Sequence, residues 1–188
     1  MSTLVEQVSP APAEPHELDP EHLGDHFDRL FRAAWGLTGS REDAEDLVQE
    51  AYARVLGKRR WLRGDDLAYL LRVLRNTHFS RIRAAKRRPR SEPLPDDLDR
   101  IEDPTAVGPD AALEARDLYA LIGALPDEFR EALVAVDVVG LSYREAGRAL
   151  RTREATIATR VYRARRRLAE VLRGKESGAS SVMTGTGS

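Results

Sequence analysis

The spacing of apolar side chains constrains this chain more than any other feature, because it follows the period of an α-helix almost throughout residues 26 to 172. One clear stripe consists of Phe27, Leu30, Phe31, Ala34 and Trp35. Residues three or four apart share a helix face, whereas a half-buried strand alternates at every second residue. The sequence shows no such alternation and therefore predicts an all-α fold.

Residues that begin and end helices divide this region into segments. Ser142 and Glu145 have the spacing of a capping box, in which each side chain bonds the backbone amide of the other residue. Ser40 with Asp43 is a looser version, and Gly39 ends the helix before it. The predicted helices cover residues 26–37, 40–55, 66–86, 112–124, 126–139, 142–150 and 153–172.

Composition outside these helices predicts two small helical domains. The N-terminus is rich in Pro, Ala and Glu, the middle holds five Pro among many acids, and the C-terminus is mostly Gly, Ser and Thr. We expect a flexible N-terminal arm at 1–20, a first domain at 21–88, an acidic Pro-rich linker at 89–110, a second domain at 111–173 and a flexible tail at 174–188.

Charge is distributed in blocks, although the formal net charge is only -1. Residues 81–90 carry six Lys or Arg and no acid, and residues 151–167 carry seven Arg against one Glu. Between them, residues 91–117 carry nine acids against two Arg. Two basic blocks around an acidic one favour contacts with nucleic acid at two separate places.

Other features narrow the possible functions. The chain has no Cys, which excludes disulfides, thiolate metal sites and cysteine nucleophiles. No apolar run is long enough to span a bilayer and the N-terminus does not resemble a signal peptide, so we expect a soluble cytoplasmic protein without membrane insertion. No phosphate loop, metal cluster or catalytic triad is recognisable. We therefore expect no enzyme activity, no metal and no cofactor.

The last two predicted helices have the pattern of a helix-turn-helix. A short capped helix is followed by a turn at residues 151–154 and by a longer helix with one apolar stripe and many Thr and Arg. Thr156, Thr159, Arg160 and Arg163 fall on or beside one outward face. An Arg-rich helix is often simply a solvated surface, but seven Arg with one acid favour a phosphate partner.

Two further surfaces carry charge on predicted helices. Around Asn76, polar and aromatic residues lie among cations, which suits single-stranded DNA, although Phe79 and Ile82 are better explained as core residues and His78 as an ordinary polar one. The second helix carries an acidic stripe, and such a stripe most often only keeps a protein soluble. Neither signal is specific alone.

Four segments resemble, in order, the signatures of the extracytoplasmic-function (ECF) branch of the sigma-70 family. They are GSREDAEDLVQEAYARVL, then YLLRVLRN with RIRAAKRR, then LPDEFREALVAVDVVGLSYREAGRAL, and finally ATIATRVYRARRRL. The resemblance covers roughly residues 22 to 172. It implies a transcription initiation factor that carries core RNA polymerase to promoter DNA and helps to open it.

The resemblance also assigns residues to partners. Region 2 of the family docks on the β′ clamp helices of the polymerase, here through Asp46, Gln49, Glu50 and Tyr52. It captures the non-template strand of the -10 element, here through Arg75, Asn76, Arg83, Lys86 and Arg87, with residues 59–66 shaping a base pocket. Region 4 contacts the β flap and reads the -35 element, here through Thr156, Thr159, Arg160, Tyr162 and Arg163. An anti-sigma factor is a further expected partner, and the acidic linker is expected in the polymerase's nucleic-acid channels.

Several positions depart from the family pattern. Tyr69 and Ser80 replace a usual Trp and Asp in the first domain. In the helix-turn-helix the departures are Ala146, Gly147, Arg151, Ala155 and Ala158. A side chain at a turn position with positive φ costs free energy, and Ala158 removes a frequent base-reading group. The alternatives are a stand-alone dimeric helix-turn-helix regulator and a polymerase-binding module without promoter specificity.

Overall fold

The structure, a computed structural model, describes residues 14–57, 59–87 and 109–182, with the backbone alone for 109–112 and 175–182. The order of elements is β1 (His16–Glu17), a 3-10 helix (Pro20–His26), α1 (Phe27–Thr38), α2 (Arg41–Leu56), β2 (Trp61–Leu62), α3 (Asp66–Arg87), α4 (Pro109–Gly123), α5 (Asp127–Leu133), a π-helical turn (Val134–Val138), α6 (Tyr143–Leu150) and α7 (Glu154–Val182). The predicted all-α class is confirmed.

Local sequence explains where the helices of the N-terminal half begin and end. Gly39 takes a left-handed conformation with φ 77° and ends α1, as its lack of a Cβ allows. The Ser40 hydroxyl accepts a hydrogen bond from the Asp43 amide and starts α2. Helices α1, α2 and α3 then pack their apolar stripes together around Leu47 and Leu74, which are almost fully buried.

In the C-terminal half, α5, α6 and α7 pack around Ile157, Val161 and Ala164, all three of which are buried. The π-helical turn at Val134–Val138 continues α5 and ends before Gly140, whose φ is 85°. The N-terminal part of α7 is thus held against two shorter helices, and its opposite face is left to solvent.

The two halves share one continuous core. The rings of Trp35 on α1 and Tyr119 on α4 are stacked, with centroids 4.4 Å apart. The C-terminal ends of the same helices meet so closely that a Cβ on Gly123 would lie 2.6 Å from the Cα of Gly39. Helix α3 contacts α6, so the helix-turn-helix lies against the N-terminal half.

Three segments that were expected to lie outside the helical domains contain secondary structure. The N-terminal arm was expected to be flexible to residue 20, but His16–Glu17 forms a strand with Trp61–Leu62, so strands are present where none was predicted. Helix α4 begins at Pro109, inside the expected linker, and α7 continues to Val182, inside the expected tail. The rest of the linker, 89–108, lies outside the described residues. No helix within the described ranges combines the length and apolarity needed to cross a membrane.

Candidate nucleic-acid interface

The helix-turn-helix begins with a complete capping box. The Glu145 amide donates to the Ser142 hydroxyl at 3.2 Å, and the Ser142 amide donates to the Glu145 carboxylate at 2.9 Å. The Ser142 hydroxyl also lies 2.6 Å from the Glu145 carboxylate and donates to it, and this bond, together with the one from the Ser142 amide, holds the pKa of Glu145 below its usual value. Both orphan amides are satisfied, so the start of α6 is fixed as the sequence predicted.

The turn between α6 and α7 explains two departures from the family pattern. Arg151 ends α6 in the left-handed region, with φ 54° and ψ 45°, a conformation that costs a non-glycine residue free energy. Gly147 lies against this turn: a Cβ there would approach the Thr152 carbonyl oxygen to 2.9 Å, and the Thr152 amide donates to the Gly147 carbonyl. Gly147 therefore allows a close backbone approach that a side chain would prevent.

The predicted -35 residues on α7 differ in their exposure to solvent. Thr159, Tyr162 and Arg163 are exposed, and Tyr162 has 66% of its surface accessible. Thr156 is half-buried, and Arg160 is half-buried because its guanidinium donates to the Glu128 carboxylate at 2.9 Å. Arg163 is therefore the arginine of this set that projects freely from the recognition helix.

An arginine-lined groove adjoins the same turn. It has a volume of about 690 Å³, is open to solvent, and is lined by Arg144, Gly147, Arg148, Arg151, Thr152, Arg153, Glu154 and Thr156. Within the described part of the chain, none of its four arginines forms a salt bridge. A cluster of cations beside the first turn of a recognition helix suits a phosphate backbone. Of these four arginines, the sequence analysis singled out only Arg151, as a departure from the family pattern.

The basic end of α3 is only partly free. Asn76, Arg83, Lys86 and Arg87 are exposed, as a nucleic-acid surface requires. Arg75, in contrast, donates from Nε to the Glu131 carboxylate of α5 at 2.5 Å. Glu131 is buried, with 8% of its side chain accessible. One predicted -10 residue therefore faces the C-terminal half and not solvent.

Two neighbours of Asn76 on α3, Thr77 and His78, are buried. Phe79 and Ile82, which were expected in the core, are only half-buried and lie outside the core cluster. The Arg75 guanidinium lies 5.0 Å from the centroid of the Phe79 ring. Burial, reinforced by the charge of Arg130, lowers the pKa of His78 and so favours the neutral imidazole.

The acidic stripe on α2 divides into free and engaged side chains. Asp46 and Gln49 are exposed. Glu50 accepts hydrogen bonds from Arg54 at 2.6 Å and Arg81 at 2.5 Å. Partial burial acts to raise the pKa of Glu50, but these two hydrogen bonds outweigh it and the pKa lies below the usual value.

Tyr52, the fourth residue of that set, supports the N-terminal half from within. Its hydroxyl donates to the Leu23 carbonyl at 2.9 Å, and its ring lies 6.2 Å from that of Phe27. Burial raises the pKa of the phenol. Of the four predicted polymerase contacts, Asp46 and Gln49 are thus the most accessible.

Sequence reasoning gave residues 59–66 as a loop that shapes a base pocket but did not single out its aromatic residue. Trp61 has 69% of its surface accessible, and Arg59, Arg60 and Arg63 are its neighbours in sequence. The run RRWLR at 59–63 was the available signal, because an aromatic ring among cations suits unpaired bases.

Comparison with protein families matches both halves of the chain in order. Residues 23–88 match the family described as Sigma-70 region 2, and residues 115–168 match Sigma-70, region 4. The chain is also 35% identical over 149 residues to the ECF RNA polymerase sigma factor SigM of Mycobacterium tuberculosis, covering 78% of this chain and 73% of that protein. The chain belongs to the ECF branch of the sigma-70 family.

Other relatives agree with this assignment. The ECF RNA polymerase sigma factor EcfG of Rhodopseudomonas palustris is 36% identical, over 74% of this chain and 76% of its own length. SigE of Mycolicibacterium smegmatis is 38% identical over 81% of this chain. The match covers 60% of the length of SigE, which is the longer protein. The ECF assignment thus extends across both halves.

Solved structures share the fold of this sigma factor. RpoE of Bartonella quintana, in complex with the anti-sigma factor NepR, matches with a TM-score of 0.59 at 23% identity, over 82% of this chain and 98% of that one. CnrH, in complex with the cytosolic domain of CnrY, matches with a TM-score of 0.58 at 20% identity, over 82% and 86%. At these identities the likeness establishes the arrangement of helices.

Proposed function

We propose that this chain directs core RNA polymerase to promoters and assists promoter opening, acting as an ECF sigma factor and not as an enzyme. The observation that carries the proposal is the combination of an acidic α2 and a basic α3 in one half with an arginine-rich helix-turn-helix in the other. A regulator that only binds an operator has no use for the first half. A module that only binds polymerase has no use for the second.

The proposed division of labour follows the two matched regions. Residues 21–88 serve the polymerase and the -10 element, the linker ends where α4 begins at Pro109, and the residues from α4 to 173 serve the -35 element. Thr159, Tyr162 and Arg163 project from α7, and the four arginines of the groove lie beside its first turn. Base contacts from the helix and phosphate contacts from the groove together account for recognition of duplex DNA.

The -10 element is proposed to bind as a single strand along α3. Asn76 supplies an amide that can pair with a base edge, and Arg83, Lys86 and Arg87 continue the same helix with exposed cations. Successive phosphates of an unpaired strand are held by such a basic track.

Asp46 and Gln49, exposed on α2, are proposed to contact the β′ clamp helices of the polymerase. The C-terminal half is proposed to contact the β flap.

DNA binding by Arg75 requires the two halves to separate, since this guanidinium is engaged by Glu131. The interface is imperfect: Trp35 Nε1, His78 Nε2 and Arg130 Nε are buried there without a hydrogen-bond partner among the described residues. Each such group costs roughly 1 to 3 kcal/mol. We propose that the closed arrangement belongs to the free protein and opens on polymerase.

An anti-sigma factor is a proposed second protein partner. RpoE, which shares this fold, was solved in complex with the anti-sigma factor NepR, and CnrH in complex with the cytosolic domain of CnrY. A partner that holds the closed arrangement keeps Arg75 covered and thereby opposes promoter binding.

Run-off transcription with purified core polymerase tests the proposed function. Promoters are first selected from random sequence by the holoenzyme, and transcripts are then mapped with and without this chain. We expect defined starts that depend on the chain. If the free protein instead protects a palindrome at physiological salt and core polymerase gains no specificity, the chain is a stand-alone regulator.

A further inference from the structure

The histidine of α3 lies where the two halves of the chain meet. The side chain of His78 is buried, and its Nε2 has no hydrogen-bond partner among the described residues. Three residues earlier, on the same face of α3, Arg75 donates to Glu131 of α5. The other three histidines of the chain lie in residues 16–26. A group that titrates near neutral pH is thus present at the contact between the halves.

Burial and the charges of both halves act on this imidazole. Burial has the largest effect and lowers the pKa of His78, and the charge of Arg130 on α5 adds to it, with a smaller contribution from Arg81. Asp127 on α5 and Asp43 on α2 act in the opposite direction but are outweighed. Helices α1 and α6 also pack on α3, and in the part of the chain that the structure describes they supply none of the charges that shift this pKa.

Arg130 is held in place at the same contact. Its side chain is only 11% accessible, and its guanidinium donates to the Gly123 carbonyl at 2.5 Å and to Asp127. Gly123 in turn lies directly against Gly39 of the N-terminal half. A proton on His78 in the closed arrangement therefore adds a second cation close to a fixed one, in a site that is shielded from water.

Opening the halves removes both causes of the low pKa. It exposes the imidazole to water and takes the Arg130 guanidinium away from α3. The open form then binds a proton at a higher pH than the closed form, so protons favour opening. The closed arrangement keeps its full stability above the usual imidazole pKa of 6.5 and loses stability as the pH falls toward the lowered pKa of the closed form.

We propose that His78 makes the closed arrangement sensitive to pH, so that acidification opens the two halves and frees Arg75 for DNA. The device needs no partner protein, because the proton itself is the ligand that distinguishes the two states. One proton is taken up, so the ratio of open to closed molecules rises by up to about tenfold per pH unit. This inference rests on the closed arrangement advanced under the proposed function and adds a signal that shifts it.

Opening is measured by X-ray scattering of the full chain at pH values from well above to well below the usual imidazole pKa of 6.5. The radius of gyration of wild type should increase as the pH falls. His78→Gln, which keeps a neutral polar side chain at this position, should stay closed throughout. His22→Gln is the matched control, because it removes an imidazole that is 71% accessible, and it should follow the wild-type profile.

A second measurement needs no substitution at His78. The pKa of its imidazole is determined by NMR in wild type and in Gly123→Ala or Gly123→Leu, whichever scattering shows to be open. A Cβ at this position meets the Cα of Gly39 and separates α4 from α1 without a change of charge. We expect a lower pKa for His78 in wild type than in the open variant. An equal pKa in the two proteins would show that closure does not act on His78 and would overturn the inference.

The outcomes separate this inference from the proposed function. The affinity of the free chain for a single-stranded -10 oligonucleotide should rise with acidification in wild type and less in His78→Gln. If His78→Gln opens over the same pH range as wild type, another group senses the proton and the inference fails. If wild type does not open at all, the inference fails while run-off transcription still decides the proposed function. If the chain opens through His78 but directs no promoter-dependent transcription, the pH response stands and the proposed function fails.

Discussion

Arg75 on α3 donates to Glu131 on α5 across 56 positions of sequence, and this contact joins a residue assigned to the -10 element to the half assigned to the -35 element. Glu131 is more deeply buried than Arg75, whose side chain is 28% accessible. This ion pair exists only while the halves are closed, and there the cation offsets the cost of burying the Glu131 carboxylate. Opening the halves solvates both groups and frees Arg75 for DNA.

Replacement of Glu131 should shift the free protein toward an open state. In Glu131→Gln, Arg75 loses its charged partner, and the closed state should weaken by about 1 to 3 kcal/mol. The apparent binding free energy of a ligand that binds only the open state should then improve by up to the same amount. We expect a larger radius of gyration by X-ray scattering and tighter binding of a single-stranded -10 oligonucleotide by the free chain.

Glu128→Gln is the control for that experiment, since it breaks the exposed pair with Arg160 inside the C-terminal half and leaves the interface intact. An exposed pair contributes little, so its scattering profile should match that of wild type. A Glu131→Gln profile that also matches wild type would show that the pair does not hold the halves together.

Asp46 is the sharpest test of the acidic stripe, because Glu50→Lys would also place a cation beside Arg54 and Arg81. Asp46→Lys should lower affinity for core polymerase by about tenfold or more, equivalent to about 1.4 kcal/mol. Its melting temperature should stay near that of wild type, because Asp46 is exposed. Glu42→Lys makes the same charge change at another exposed position of α2, and an equal loss of affinity there would mean that only net charge matters.

The left-handed Arg151 predicts a stabilising substitution. Arg151→Gly removes the cost of a side chain at φ 54°, of about 1 to 2 kcal/mol, and offsets part of this gain by a more flexible unfolded chain. We expect a net gain of about 0.5 to 1 kcal/mol in the free energy of unfolding, measured by urea titration. Gly147→Ala should act in the opposite direction because its Cβ meets the Thr152 carbonyl. If Arg151 contacts phosphate, the more stable variant will nevertheless bind duplex DNA less tightly.

The contact between His16 on β1 and Asp66 at the start of α3 should stabilise the fold in a pH-dependent way. Its hydrogen bond to Asp66 raises the pKa of the imidazole above its usual value near 6.5. A raised folded pKa means that the stabilisation is complete below the unfolded pKa and is lost as pH rises through the folded pKa. The melting temperatures of wild type and His16→Ala should therefore differ most below the usual imidazole pKa near 6.5 and converge as the pH rises above the raised pKa of His16. A difference that is constant with pH would show that the imidazolium does not contribute.

The sequence predicted the elements whose causes are local. Ser40 and Ser142 begin helices through bonds three residues away, and Asp66 begins α3 where the periodicity placed it. The outward face of α7 follows from one stripe of buried residues in the same helix. Such features need only neighbouring residues, and a 3.6-residue period reveals them.

Features that depend on distant partners were not predictable in the same way. Strand β1 has two residues and pairs with a segment some 45 positions away, so neither its length nor its alternation stands out. The engagement of Arg75 by Glu131 and the stacking of Trp35 on Tyr119 depend on how the two halves meet. No periodicity encodes that relation, and the same sequence pattern fits separated domains equally well.

Arg163 should carry sequence recognition in the upstream element, because it is exposed on α7 while Arg160 is engaged by Glu128. Arg163→Ala in the holoenzyme should weaken promoter binding and leave core binding intact. If the contact is to a base edge, the loss should be roughly 1 to 3 kcal/mol and confined to particular promoter positions. If it is to phosphate, all sequences should lose affinity about equally, and the slope of log affinity against log salt should fall by about 0.9.

The control for Arg163 is a residue of the same helix that points inward. Ile157 is fully buried, and Ile157→Ala should lower stability by roughly 2 to 5 kcal/mol by opening a cavity. It should impair binding to every promoter in parallel with its loss of folded protein, unlike a base contact. Titration is made on a selected promoter and on one with a scrambled upstream element. If Arg163→Ala still distinguishes these two as well as wild type does, recognition depends on Thr159, Tyr162 or an Arg160 released from Glu128.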